Sequence, residues 1–148
     1  MPIFETSECY PTPPARAFDL FRRPVERIRL APQELKLQLV GGPAELSLGS
    51  RLTVRGRRWG MTQWMTTEIT AFEEGALIVE EQQQGPFRSW RHTQRFLPAA
   101  DGGVEIADVV EYDPPGGVLG RLATADVIRQ ELERAFAFRR ERLAEQPG

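Results

Sequence analysis

Residues 87–112 read FRSWRHTQRFLPAADGGVEIADVVEY, two runs of alternating large and polar residues separated by Asp101-Gly102-Gly103. Alternation is the signature of a half-buried β-strand, and an Asp-Gly-Gly cluster is the chemistry of a hairpin turn. Side chains two apart on a strand share a face. Trp90, His92, Gln94 and Phe96 therefore point together, as do Ile106, Asp108, Val110 and Tyr112. Both sets carry large apolar residues, so both are expected to face the interior. Two registers are open: either His92 sits directly opposite Asp108, or Gln94 does and Asp108 lies diagonal to His92, still within reach.

Working outward from this hairpin, the same signals recur. Leu35, Leu37 and Leu39 alternate with polar residues before Gly41-Gly42-Pro43, and Leu52 and Val54 do so up to Gly60. Thr62 to Phe72 and Leu77 to Gln84 follow, punctuated by Glu73-Glu74-Gly75 and Gly85-Pro86. Consecutive strands with short connections predict an antiparallel meander. Ile3 to Tyr10 adds a strand at the start. Thr12-Pro13-Pro14 reads as a helix start, with Thr12 expected to cap it, and the helix must end near Pro24. A second short helix, Val25 to Leu30, stops at Ala31-Pro32. At the other end, Leu122, Ala125, Ile128, Leu132, Phe136 and Leu143 fall at three- and four-residue steps, one of them double, which predicts a long amphipathic helix.

The expected architecture is α+β, with residues 1–148 as one domain. A seven-stranded sheet must bury one face, and the final helix is the only large partner the sequence offers. A helix is about 10 Å across, whereas seven strands span over about 30 Å. The sheet must curl around the helix, and a curled sheet on one helix is expected to leave a cavity.

Two strands have an open register. Glu80 and Gln82 share a face with Ile78 and line the cavity if Ile78 points inward; otherwise Leu77 and Val79 are inside and the polar pair is in water. Trp64 and Ile69, five apart, cannot both face in without a bulge, so Trp64 is either a pocket wall or a surface aromatic.

Composition excludes several function classes. With 19 basic and 21 acidic residues the net charge is −2, which gives no general attraction to nucleic acid. Arg55, Arg57 and Arg58 beside Trp59 are read as a solvated strand face. Gly116-Gly117 and Gly120 lack the lysine and context of a phosphate loop and read as a hinge. One His and one Cys do not supply a structural zinc site, so no metal or other cofactor is expected. A single cysteine, Cys9, forms no internal disulfide and suits a reducing compartment. No apolar run is long enough for stable membrane insertion, and the N-terminus lacks a basic leader, so a cytoplasmic location is expected.

Gly85-Pro86-Phe87, Trp90, His92, Phe96, Gly103, Asp108, Val110, Tyr112 and Pro114 together resemble a bacterial subgroup of the START/SRPBCC superfamily, the helix-grip fold of polyketide cyclase/dehydrase-like proteins. The resemblance spans essentially the whole chain. Gln94 stands where that pattern often has a second His, which tells against metal or two-histidine chemistry, and Val104 stands where it often has Thr. The resemblance implies a helix-grip fold with a seven-stranded curved antiparallel sheet and two short helices between strands one and two. It also implies a cavity for lipids, polyketides or similar molecules.

The expected function is thus binding of a small hydrophobic molecule or lipid, with oligomeric state left open. Expected ligand-binding residues are Trp90, His92, Gln94, Phe96, Asp108, Val110, Tyr112, Glu80, Gln82, Ile128 and Leu132. Access is expected beside Val25 to Leu35 and the loops at Gly85-Pro86 and Pro114 to Gly120. The alternative is a cyclase or dehydratase type of enzyme, with His92 as general base and Asp108 as its partner. A plain structural pair that fixes strand register is the third reading of those two residues.

Overall fold

The computed structural model describes residues 1–145 of the chain. Strand β1 (Ile3–Tyr10) leads into two short helices, α1 (Pro14–Phe21) and α2 (Pro24–Arg29). Then come β2 (Gln38–Gly41), β3 (Arg51–Arg58), β4 (Met61–Glu73), β5 (Leu77–Gln84), β6 (Ser89–Pro98) and β7 (Val104–Asp113). A single turn of helix, α3 (Leu119–Leu122), precedes the long helix α4 (Ala125–Ala144). The strands form one curved antiparallel sheet of seven in the order β1-β7-β6-β5-β4-β3-β2. This is the helix-grip arrangement expected from the sequence, with the two short helices between β1 and β2.

Local chemistry accounts for most boundaries. Pro14 occupies the first turn of α1, where its missing N–H is no loss. The capping position falls on Pro13 rather than on Thr12, and no side chain caps the helix. Thr124 does cap α4, accepting from the Val127 amide at 3.3 Å. Trp59 and Gly60, both with positive φ (53° and 77°), close the β3–β4 hairpin in two residues. Paired positive φ values match the strand twist. The expected strand around Leu35 is shorter than its alternation implies. Gln33–Leu35 is a turn of 3-10 helix that ends in left-handed Lys36 (φ 48°), so pairing starts only at Gln38. The strand expected from Phe87 begins at Ser89, and Phe87 turns into the core instead.

The sheet's concave face is covered by more than the final helix, contrary to the sequence expectation. Phe18 and Phe21 of α1 stack edge-on or tilted against Phe96 at 5.2 and 5.5 Å, so the first helix plugs one end of the trough. Around them pack Tyr10, Leu30, Leu46, Leu52, Ile69, Ile78, Val104, Ile106 and Leu143. A second cluster at the other end joins Phe4, Phe87, Val110 and Tyr112 to Ile128 and Leu132 of α4, with Ala123 before it. Two-core packing leaves much less free volume than a sheet over one bare helix. Leu122, expected on the helix's apolar stripe, belongs to α3 instead and is exposed.

The open registers resolve as follows. Ile78 is buried in the first cluster, so Glu80 and Gln82 point inward. Val79 is buried as well, which is why both registers looked admissible. Trp64 is half-exposed and lies under the Arg55 guanidinium at 5.2 Å, so it is a surface aromatic, while Ile69 is fully buried. A bulge does exist in β4, but at Thr70: Ile69 faces Glu80, and the next pair is Ala71 with Val79.

Candidate functional site

Between the two clusters lies a recess of about 230 Å³. Its mouth is framed by α2 and the segment after it (Arg27, Ile28, Leu30, Ala31, Leu37) and by α4 (Ala135, Phe136, Arg139). Leu52 and Val54 of β3, Glu80 of β5, and His92 and Gln94 of β6 contribute the sheet side. Apolar side chains make most of the wall. The polar groups come from adjacent strands and from the two helices that face them.

The register of β6 and β7 sets the centre of this polar cluster. Gln94 pairs with Asp108 and His92 with Val110, so Asp108 stands diagonal to His92. Asp108 Oδ2 lies 2.7 Å from His92 Nε2 and accepts from Gln94 Nε2 at 3.0 Å. Arg139 reaches in from α4 and donates to both oxygens, Nη1 to Oδ2 at 3.0 Å and Nη2 to Oδ1 at 2.6 Å. Burial alone would push the Asp108 carboxyl up. The Arg139 charge and the hydrogen bonds from His92 and Arg139 outweigh that and hold it well below the usual carboxylate range. An ionised carboxylate can only accept, so His92 Nε2 must carry the hydrogen in this bond, and Nδ1 is left as the other ring nitrogen. The same argument fixes the Gln94 amide: reversing it would set its oxygen against a carboxylate oxygen.

A second ion pair lies beside the first, since Glu80 and His92 are neighbours across β5 and β6. Glu80 Oε1 accepts from Arg27 Nη2 at 2.6 Å, and Oε2 accepts from the Thr67 hydroxyl. Burial would raise the Glu80 carboxyl, but the Arg27 charge and the Thr67 hydrogen bond bring it below its ordinary value. Arg139 is held between aromatic faces, 4.5 Å from the Phe136 ring and 5.3 Å from that of Phe21. The formal charges of Arg27 and Arg139 thus balance those of Glu80 and Asp108. Three buried polar atoms on residues lining the recess have no protein partner among the described residues: Gln94 Oε1, Arg27 Nη1 and Arg139 Nε.

Of the residues singled out in the sequence, Glu80, His92 and Gln94 line the recess, and Asp108 sits behind them with no exposed side-chain surface. The others do not line it. Trp90, Val110, Tyr112, Ile128 and Leu132 pack in the second cluster and Phe96 in the first. The Tyr112 hydroxyl donates to the Ala125 carbonyl at 3.2 Å, tying β7 to the start of α4. Gln82 is engaged on both sides of Phe87, donating to its carbonyl at 2.8 Å and accepting from its amide at 3.2 Å. Of the three expected access segments only Val25 to Leu35 borders the recess; Gly85-Pro86 and Pro114 to Gly120 do not line it. Arg58 is not on a solvated face either: it turns in beside Trp59 and lies 3.6 Å from Glu131, which also accepts from the Trp59 indole at 3.0 Å.

Sequence reasoning missed Arg139, Arg27 and Thr67. Arg139 had a signal. The apolar stripe of α4 skips a step between Phe136 and Leu143, and Arg139 occupies that gap, buried like its apolar neighbours. Arg27 and Thr67 had none, because nothing in a single sequence brings α2 against β4 and β5.

Comparison with solved structures supports the architecture. TTHA0849 from Thermus thermophilus superposes with a TM-score of 0.74 at 17% identity, covering 97% of this chain and 95% of that one. Major latex-like protein 151 from Panax ginseng gives 0.70 at 13% identity over 99% and 98% of the two chains. Protein CV1439 from Chromobacterium violaceum gives 0.70 at 13% over 96% and 94%. At these identities the likeness is one of fold. No curated protein matches the sequence. A family profile described as "Polyketide cyclase / dehydrase and lipid transport" matches residues 1–146. With that profile spanning nearly every residue, the chain belongs to the polyketide cyclase/dehydrase and lipid transport family.

Proposed function

We propose that the recess between α2, the sheet and α4 binds a small, predominantly apolar molecule. One observation carries this reading: an apolar-walled space opens onto a polar cluster that two helices and four strands cooperate to build. Buried ion pairs are poor sources of stability, and well-packed apolar residues in their place are often neutral or stabilising. Two such pairs at the base of one recess suit recognition better than they suit folding. Apolar walls would supply affinity at roughly 25 cal/mol per Å² of buried apolar surface, and the polar base would orient the molecule. Family membership agrees with hydrophobic ligand binding.

A second reading, proton abstraction by His92, rests on the 2.7 Å bond from its Nε2 to Asp108. Arg139 is bidentate on the same carboxylate and shares its charge, which weakens Asp108 as the partner of a base. Binding is therefore the preferred function. Gentle extraction and mass spectrometry of the purified chain, with titration of fluorescent apolar probes, tests it. A co-purifying small molecule or saturable probe binding that Ala135→Phe weakens is the expected result. No bound molecule and no saturable binding would end the proposal. If a substrate is found, His92→Ala that binds it and turns it over normally removes His92 as the base.

A further inference from the structure

We propose that the chain pairs head to tail with a second copy of itself, the outward face of β3 and β4 on one copy meeting the outward face of β1 and β7 on the next. Two oppositely charged patches on its own sheet carry this. The concave face holds the core, so outward residues alternate with buried ones along each strand. On β3 and β4 the outward cross-strand pairs are Arg57 with Thr62, Arg55 with Trp64, Thr53 with Thr66 and Arg51 with Glu68. Three arginines face one glutamate there, although the chain as a whole has a net charge of −2. Arg51 has Glu68 at 3.1 Å. Arg55 and Arg57 have no carboxylate partner among the described residues. Arg55 donates to Gln38 and lies over Trp64 at 5.2 Å. Arg57 donates to the Gly60 carbonyl at 3.2 Å and the Thr62 hydroxyl at 3.4 Å. Trp64 stays 50% exposed beside them.

The opposite edge of the sheet has the reverse character. β1 and β7 contain no basic residue, and their outward positions include Glu5, Glu105, Glu111 and Asp113. The nearest outward cations, Arg91 and Arg95, stand one strand inboard on β6. Ile3 is 51% exposed, with Glu111 directly across from it, Asp113 diagonal and Glu5 two residues along its own strand. Trp64 has the same surroundings in the opposite sign, with Arg55 across from it and Arg57 diagonal. An exposed apolar side chain flanked by cations on one copy thus matches one flanked by carboxylates on another. Strand pairing at the β2 edge is a poorer route, because β2 has four residues and a register break at Val40. Short, bulged strands blunt an edge. The two patches lie at opposite sides of a curved sheet. Each contact therefore leaves a patch of either sign open on the pair, which makes the arrangement head to tail and not two-fold. Patches of a few side chains are smaller than a standard interface, so the association is weak and sensitive to salt.

Sedimentation velocity of the full chain over a rising concentration series, at two salt levels, tests this. We expect self-association at about 0.01 M salt, where charges act over about 30 Å, and its loss at about 1 M, where they act over about 3 Å. Arg55→Glu/Arg57→Glu and Glu5→Arg/Glu111→Arg should each stay monomeric at low salt. An equimolar mixture of the two should associate, because each supplies the patch that the other has lost. Near-ultraviolet circular dichroism checks that both variants fold. If either does not, Trp64→Ala decides in its place: weakened association supports the proposal, and unchanged association overturns it. A monomer at every concentration overturns the proposal. Association that persists at high salt, or in either reversed variant, places the contact on another surface and overturns it as well. Two folded, monomeric variants that do not associate when mixed overturn the pairing of these two patches.

Discussion

Arg139 of α4 and Asp108 of β7 meet through two hydrogen bonds of 3.0 and 2.6 Å, with the carboxylate wholly out of solvent. This bond ties the terminal helix to β7, which lies between β1 and β6 in the sheet. Removing one partner strands a charge. Arg139→Met is expected to destabilise the chain by about 3–5 kcal/mol, read from urea denaturation. The double variant Arg139→Met/Asp108→Leu should recover most of that loss, because neither charge remains. If the single variant unfolds no more readily than the parent, the pair is not holding the helix.

The same carboxylate sets an acid limb. The folded-state affinity of Asp108 for a proton is depressed, and that of Glu80 is depressed as well. A depressed folded value contributes stability that is fully present above the unfolded carboxylate range, near about pH 4, and is lost as pH falls below it. Unfolding free energy should therefore hold steady from neutral pH to about 5 and then drop toward pH 3. In Asp108→Asn/Arg139→Met the drop should be shallower; an identical acid limb in that variant would show that Asp108 does not control it.

Arg27 is the only side chain of α2 that reaches an ion pair inside the recess, at 2.6 Å from Glu80. Arg27→Met leaves Glu80 facing apolar walls with Thr67 alone. We expect hydrogen exchange across α2 to quicken by about tenfold or more, an effect that Glu80→Gln in the same chain partly reverses. Unchanged exchange would mean that packing of Leu30, and not this pair, holds α2 down.

Trp64 offers the opposite expectation. It is half-exposed and its main partner is Arg55 at 5.2 Å. Trp64→Ala should change stability by less than about 1 kcal/mol, whereas Phe18→Ala, from the fully packed cluster, should cost about 3–5 kcal/mol. Equal losses in chemical denaturation would contradict the placement of Trp64 on the surface.

Most of the architecture was legible because it depends on period and punctuation. Alternation in residues 104–112 buries every second side chain, and Gly-rich turns fix where each strand reverses. The long helix was legible from its stripe, except that the stripe's missing step concealed a buried arginine. The candidate site was only partly legible. His92, Gln94 and Asp108 are neighbours on one hairpin, so local spacing brings them together. Glu80 was legible from the face it shares with Ile78, and Arg139 only as a gap in the stripe of α4, whereas Arg27 and Thr67 meet Glu80 through packing that leaves no local trace. Single-sequence reasoning also overestimated the empty volume, because nothing in residues 14–21 announces that Phe18 and Phe21 fold back to fill the trough.

Thr70 has a consequence out of proportion to its size. Counting along β4 from Met65, odd numbers fall toward the interior as far as Ile69; the unpaired threonine resets the count, so even-numbered Phe72 joins the same side and meets Phe18 at 5.4 Å. A chain without Thr70 would have Ile69 and Phe72 two positions apart, so plain alternation would keep both inside and the bulge would vanish. Single deletions in this strand are thus not equivalent: one among the regularly paired residues from Met65 to Ile69 turns the residues beyond it to the other face, whereas the one at the bulge leaves the inner face intact.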